Sequence, residues 1–118
     1  MNKLLLLVLL TLSSSHLFAQ EMSAGRWNTG EENTVIETYQ KDEMWYGKII
    51  SSDNPNAKIG KDILQGFVKS KDQWEGKLYA ARKGKLVDAK IVPNDSEMKI
   101  TVSAGMFKKK LSWQRTEL

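Results

Sequence analysis

Polar and apolar residues alternate along short segments of the chain, and a turn signal follows each segment. The clearest case is the segment from Met98 to Ala104, where Met98, Ile100 and Val102 alternate with polar residues. A period of two places successive side chains on opposite faces of a strand, so the pattern indicates strands with one buried face. Many short strands of even spacing are typical of an all-β sandwich or barrel.

Eight such segments, with almost no helical periodicity, predict a single eight-stranded antiparallel up-and-down β-barrel. Closure of the sheet removes the two exposed edges that an open sheet would leave. The first and last strands must then pair with each other. The predicted strands are residues 25–29, 34–40, 43–51, 63–70, 73–80, 85–92, 98–104 and 107–116.

The facing of the second and third strands is ambiguous in the sequence. A hairpin turn at Lys41-Asp42 places one set of residues inside the barrel and a second set outside. The inside set is Ile36, Thr38, Trp45, Gly47 and Ile49, and the outside set is Val35, Glu37, Tyr39, Met44 and Tyr46. The opposite facing also gives a plausible core. With the first facing, Tyr39, Met44 and Tyr46 form a small apolar patch on the outer face.

The first 20 residues have the pattern of a secretory signal peptide. A positive start that includes Lys3 precedes an apolar run over residues 4–12, and cleavage is expected after Ala19 or Gln20. The run is about half of the ~20 residues that a membrane-spanning helix needs. We therefore expect a barrel domain over residues 21–118, periplasmic or secreted, with no integral membrane segment in the mature chain.

The composition excludes several kinds of chemistry. The 118-residue chain has no cysteine, and its single histidine, His16, lies in the predicted signal peptide. Catalytic serine–histidine and cysteine–histidine pairs, thiol redox chemistry and the usual zinc sites are therefore excluded from the mature chain. We expect no enzymatic activity, no metal and no cofactor. The net charge of +4 is spread along the chain, so no nucleic-acid partner is expected.

Gly25 and Trp27 on the first strand, with Arg115 on the last, resemble the signature of lipocalins and fatty-acid-binding proteins. In that superfamily the arginine lies across the tryptophan ring and helps to seal one end of the barrel. The resemblance implies a structural role in barrel closure for Gly25, Trp27 and Arg115.

More closely, the mature chain resembles the bacterial family called domain of unknown function 2147. The resemblance implies a small, exported, lipocalin-like protein without an assigned activity. The matching stretches are Gly25-Arg26-Trp27, Val35-Ile36-Glu37-Thr38-Tyr39, Trp45-Tyr46-Gly47-Lys48-Ile49, Trp74-Glu75-Gly76 and Leu111-Ser112-Trp113-Gln114-Arg115-Thr116.

The interior of the predicted barrel is the candidate binding site. An eight-stranded barrel is just wide enough to be filled by side chains or to hold one small ligand. The candidate lining residues are Trp45, Trp74, Leu78, Ile100, Val102 and Trp113. The same residues can instead simply fill the barrel, so the sequence leaves both possibilities open.

Two functional hypotheses follow from these alternatives. The first is an exported, non-enzymatic protein that binds a small apolar ligand or lipid in the cell envelope. The second is a packed barrel whose outer surface interacts with a protein or another component of the envelope.

On the last strand, Phe107, Lys109, Leu111, Trp113 and Arg115 share the predicted inner face. The run of lysines at residues 108–110 could contact an anionic lipid, but a solvated strand end explains it as well.

Overall fold

Eight antiparallel strands form a closed barrel in which each strand pairs with its neighbours in chain order. The computed structural model describes residues 21–117; the predicted signal peptide, residues 1–20, lies outside this range. The predicted all-β, eight-stranded barrel is confirmed, and every regular element of residues 21–117 is a strand. The strands are β1 (Gly25–Asn28), β2 (Val35–Lys41), β3 (Met44–Ser51), β4 (Asp62–Ser70), β5 (Gln73–Ala80), β6 (Lys85–Pro93), β7 (Glu97–Ala104) and β8 (Phe107–Arg115).

The β2–β3 hairpin differs from the prediction at its turn. Lys41 pairs with Met44, so the two turn residues are Asp42 and Glu43, with φ angles of 53° and 67°. Positive φ at both central residues is the geometry of the tight turn that suits the twist of a hairpin. The turn lies one residue later than predicted, which shifts the pairing register by two residues and leaves every side chain on the same face.

The first of the two predicted facings is therefore the observed one. The residues predicted to lie inside are all buried: Ile36, Thr38, Trp45, Gly47 and Ile49. Val35, which was predicted to lie on the outer face, is buried with an exposed fraction of 4%, but it does not belong to the apolar cluster of the barrel core. Val35 pairs with Asn28 and Ile36 pairs with Trp27, so the two residues keep opposite faces although the β2–β3 register shifts between them.

A bulge in β4 interrupts the alternation of inward and outward residues. Leu64 and Phe67 are both fully buried although they are three residues apart. Gly66 between them has a φ of 66°, in the left-handed region that glycine adopts most readily. The Phe67 ring then lies over Gly76 of β5, where an added Cβ atom would be 2.7 Å from the ring. Glycine at residue 76 thus lets the ring enter the core.

The two ends of the barrel differ in the size of their inward side chains. We call the end where β1 begins and β8 finishes the closed end, and the opposite end the open end. The bulky buried side chains in the closed half are Trp27, Trp45, Phe67, Trp74 and Met98. Toward the open end the inward positions are held by smaller residues: Ala80, Val87, Val102 and Ala104.

The segment before β1 packs onto the closed end. Met22 has an exposed fraction of 5% and belongs to the same apolar cluster as the barrel core. Within residues 21–117, no helix is long and apolar enough to cross a membrane.

Candidate functional site

A cavity of about 610 Å³ occupies the open end of the barrel. Its deep part is lined by buried apolar side chains from β2, β3, β7 and β8, namely Ile36, Ile49, Val102 and Trp113. Ala80 and Ala104 line it nearer the mouth, at the ends of β5 and β7. Because these alanines are too small to reach the barrel axis, the open half stays hollow while the closed half is filled.

Two loops on one side of the mouth are fixed to each other by hydrogen bonds. The Asn33 side-chain amide donates to an oxygen of Asp53 at 2.7 Å, and the Asn54 amide donates to Glu32 at 3.0 Å. The backbone N–H of Asp53 also donates to the carbonyl of Glu32 at 2.8 Å. The Asp53 carboxylate is thus engaged by a protein donor.

Basic and aromatic side chains pair on the rest of the mouth. The Lys61 ammonium lies 4.2 Å from the centre of the Tyr79 ring, and Lys83 lies 5.7 Å from that of Phe107. Phe107 is 53% exposed, although its position on β8 has the inward parity. The open end is therefore a partly apolar rim that carries positive charge.

The structure places the six predicted lining residues in one apolar cluster, but not all of them on the cavity wall. Val102 and Trp113 line the cavity. The other four, Trp45, Trp74, Leu78 and Ile100, are buried in the packed core and are absent from its lining. The difference follows from bulk, since tryptophans at neighbouring positions fill a narrow barrel.

Several lining residues were not predicted from the sequence. Ala80, Ala104 and Lys109 line the cavity, and each occupies an inward position near the open end of its strand. The available signal was the combination of small residues at the ends of two strands with a lysine on the inner face of a third. That combination predicts a wide, wet mouth and not a filled end.

At the closed end, Arg115 lies across the ring of Trp27, with its guanidinium carbon 4.4 Å from the ring centre. Its Nε donates to the carbonyl of Asp95 at 2.6 Å, and its Nη2 donates to the Ser23 hydroxyl at 2.9 Å. An added Cβ atom at Gly25 would clash with Nη1 of Arg115. Glycine at residue 25 therefore leaves the space that the guanidinium occupies.

The polar atoms beneath this arginine are satisfied. The Trp27 indole N–H donates to the Thr38 hydroxyl at 3.1 Å, and that hydroxyl donates to the carbonyl of Ser23 at 2.8 Å. Thr38 is 1% exposed, so an unpaired hydroxyl there would be costly. The short β1–β8 pairing, Trp27 with Arg115 and Asn28 with Gln114, closes the barrel at this point.

The outer face of β2 and β3 carries a separate aromatic group. The rings of Tyr39 and Tyr46 stack with their centres 5.7 Å apart, and the Lys48 ammonium lies 5.3 Å from the Tyr39 ring. The Tyr39 hydroxyl donates to Asp62 at 2.6 Å. This hydrogen bond, with burial and the nearby negative charge, raises the pKa of Tyr39 to about 12. Met44 beside them is 39% exposed.

Together, the fold and the cavity define a small all-β barrel with one sealed end and one hollow end. The family model described as "Uncharacterized protein conserved in bacteria (DUF2147)" matches residues 25–115, and the chain belongs to this family. The match begins at Gly25 and finishes at Arg115, the two residues that meet at the closed end. A comparison with curated proteins gives no match, and neither does a comparison with solved structures.

Proposed function

We propose that this protein is a non-enzymatic barrel that binds a small apolar ligand in the cavity at its open end. The observation that carries the proposal is the cavity of about 610 Å³ with a buried apolar floor. Pockets for small molecules are typically clefts of ~300–1,000 Å³ lined mainly by apolar side chains. The absence of histidine and cysteine from residues 21–118 supports binding as the function in preference to catalysis.

The proposal places the protein outside the cytoplasm. Residues 1–20 have the charge and hydropathy pattern of a signal peptide, and a chain without cysteine needs no disulfide to fold there. In the cell envelope, a hollow barrel would shield an apolar molecule from water. Native mass spectrometry of the protein purified from its own envelope would identify the natural ligand.

Binding is tested with N-phenylnaphthylamine, an uncharged apolar probe whose fluorescence rises in an apolar site. The wild type should give a saturable increase. Ala104→Phe places a ring in the cavity and should abolish the increase. Ser103→Phe, the matched control, adds the same ring at the neighbouring residue, which faces the other side of the strand, and should bind the probe like the wild type.

Thermal melting of both variants is the accompanying control. Ala104→Phe should melt within a few degrees of the wild type, because the new ring enters empty space. An absence of saturable binding to the wild type would overturn the proposal. So would equal binding by the Ala104→Phe and Ser103→Phe variants.

An alternative function uses the outer face of β2 and β3. The exposed Met44 and the stacked Tyr39 and Tyr46 rings form an apolar surface that a protein partner could cover. Met44→Lys separates the two functions, since it should abolish a partner's binding at this face and leave probe binding unchanged. Ligand binding in the cavity is the favoured function. The tyrosine rings and the Tyr39 hydroxyl of the outer face already have partners within the chain.

A further inference from the structure

We propose that the ligand is an anionic amphiphile, with its apolar chain in the cavity and its acidic head group at the mouth. The proposal rests on the proposed function and specifies its ligand class. The head group would be a carboxylate or a phosphate, held by Lys109 together with neighbouring basic side chains.

The charged residues of the cavity lining favour an anionic ligand. Five lining residues are basic, whereas two, Glu31 and Glu32, are acidic. The basic residues are Lys58, Lys61, Arg82, Lys83 and Lys109. In the described part of the chain, the three ion pairs involve none of these five residues. The mouth therefore has an excess of positive charge that no carboxylate of residues 21–117 neutralises by direct contact.

The acidic residues of the lining are engaged elsewhere or exposed. Glu32 accepts a hydrogen bond from the Asn54 amide at 3.0 Å, within the contact between the two mouth loops. Glu31 is exposed at the loop. A concave site with a net excess of positive charge attracts anionic ligands.

Lys109 occupies the position at which charge and apolar wall meet. It pairs across the sheet with Val102, which is 8% exposed and lines the cavity. Its neighbours Lys108 and Lys110 pair with Ser103 and Thr101 and therefore have the outward parity. A lysine at this position can lay its alkyl stem along the wall and keep its ammonium at the mouth. An acidic head group there would accept a charge-assisted hydrogen bond.

The deeper wall supplies the complementary half of an amphiphile site. Ile36, Ile49 and Val102 line the cavity below the mouth and are all buried. Burial of a chain there is favourable by ~0.8 kcal/mol for each CH₂ group removed from water. Apolar depth and a basic rim together match an alkyl chain with an anionic head.

The test compares ligands that share a dodecyl chain and differ in head group, measured by isothermal titration calorimetry below their micelle concentrations. The ligands are dodecanoate, dodecyl phosphate, dodecanol and dodecyltrimethylammonium. The wild type should bind an anionic member about tenfold more tightly than dodecanol, which a charge-assisted hydrogen bond can supply. Dodecyltrimethylammonium should bind most weakly. Added salt should weaken the binding of the anionic ligand but not the binding of dodecanol.

Lys109→Gln and Lys110→Gln form a matched pair, because each removes one positive charge from the same strand. Lys109→Gln should weaken the binding of the anionic ligand about fivefold or more and leave the affinity for dodecanol unchanged. Lys110→Gln should leave both affinities unchanged. Equal effects of the two variants would overturn the assignment of Lys109. Dodecanol binding as tightly as both anionic ligands would overturn the anionic preference while the proposed function stands. If no member of the panel binds, the proposed function itself fails.

Discussion

The two ends of the barrel use the same strands for different purposes. At the closed end, large aromatic side chains fill the interior. The guanidinium carbon of Arg115 lies 4.4 Å from the centre of the Trp27 ring. At the open end, alanine and valine occupy the equivalent inward positions, and a cavity of about 610 Å³ remains. Closure of the sheet and filling of its interior are therefore separate properties. The first depends on strand pairing, and the second on the size of the side chains at each level.

This difference implies that stability and binding respond to different substitutions. Changes at the closed end should lower the free energy of unfolding without altering the cavity. Changes at the open end should alter binding with little effect on stability. Substitutions at each end of the barrel test that separation.

Trp27→Ala should have the largest effect on stability. Trp27 is 1% exposed and donates to Thr38 within the core, and removal of a buried tryptophan typically costs ~3–5 kcal/mol. Phe107→Ala at the open rim is the comparison and should change the free energy of unfolding by less than about 0.5 kcal/mol, as exposed positions usually do. Urea unfolding measures both. Similar losses for the two variants would contradict the assignment of stability to the closed end.

Arg115→Ala should lower the free energy of unfolding by about 1–3 kcal/mol, since it removes the contact with Trp27 and hydrogen bonds to two other segments. At a temperature where the variant is folded, its affinity for N-phenylnaphthylamine should equal that of the wild type. Arg115→Lys keeps the charge but not the planar group, so it should restore only part of the loss. A variant Arg115→Ala that melts like the wild type would disprove the role of this contact.

Gly25→Ala should cost about 1 kcal/mol by displacing the guanidinium of Arg115, as overpacking of a filled site does. The added Cβ would clash with Nη1 of that side chain. In a double-mutant cycle, Gly25→Ala should cost much less when Arg115 is already alanine, because the clash is then absent. Additive effects would show that Gly25 is required for another reason.

The pH dependence of stability should report the outer face, away from both ends. The pKa of Tyr39 is raised from 10.0 to about 12 by its hydrogen bond to Asp62. Tyr39 therefore holds its proton more tightly in the folded protein than in the unfolded chain. Its contribution to the free energy of unfolding is complete below pH 10 and is lost as the pH rises through about 12. Tyr39→Phe should remove that part of the alkaline loss without changing probe binding. An unchanged alkaline profile would show that Tyr39 titrates normally.

The sequence predicted the fold because its strong signals are local. Alternation from Met98 to Ala104 and a turn after each segment fix the strands, and parity alone placed Arg115 on the same face as Trp113. The facing of β2 and β3 could not be fixed in this way. Both faces of these strands carry apolar or aromatic residues, Ile36 and Trp45 on one face and Tyr39 and Tyr46 on the other, so alternation alone does not show which face is buried.

The cavity was harder to predict because its volume depends on which side chains meet at one level of the barrel. That level is set by register, and bulges at Val35/Ile36 and in β4 change the register in ways that alternation does not reveal. Tryptophans were therefore expected on the cavity wall, whereas Trp45 and Trp74 fill the closed half. The small residues that create the space, Ala80 and Ala104, carry no conspicuous signal of their own.

We propose that the open end admits a ligand whose apolar chain reaches the cavity floor. Trp113 lines that floor, whereas Trp27, Trp45 and Trp74 lie in the packed core. A bromine atom quenches only nearby tryptophans, so titration with ω-bromododecanoate tests the claim directly. We predict saturable quenching that dodecanoate does not cause, that α-bromododecanoate causes more weakly, and that Trp113→Phe removes. No saturable quenching of the folded wild type, or quenching that survives Trp113→Phe undiminished, would contradict the account.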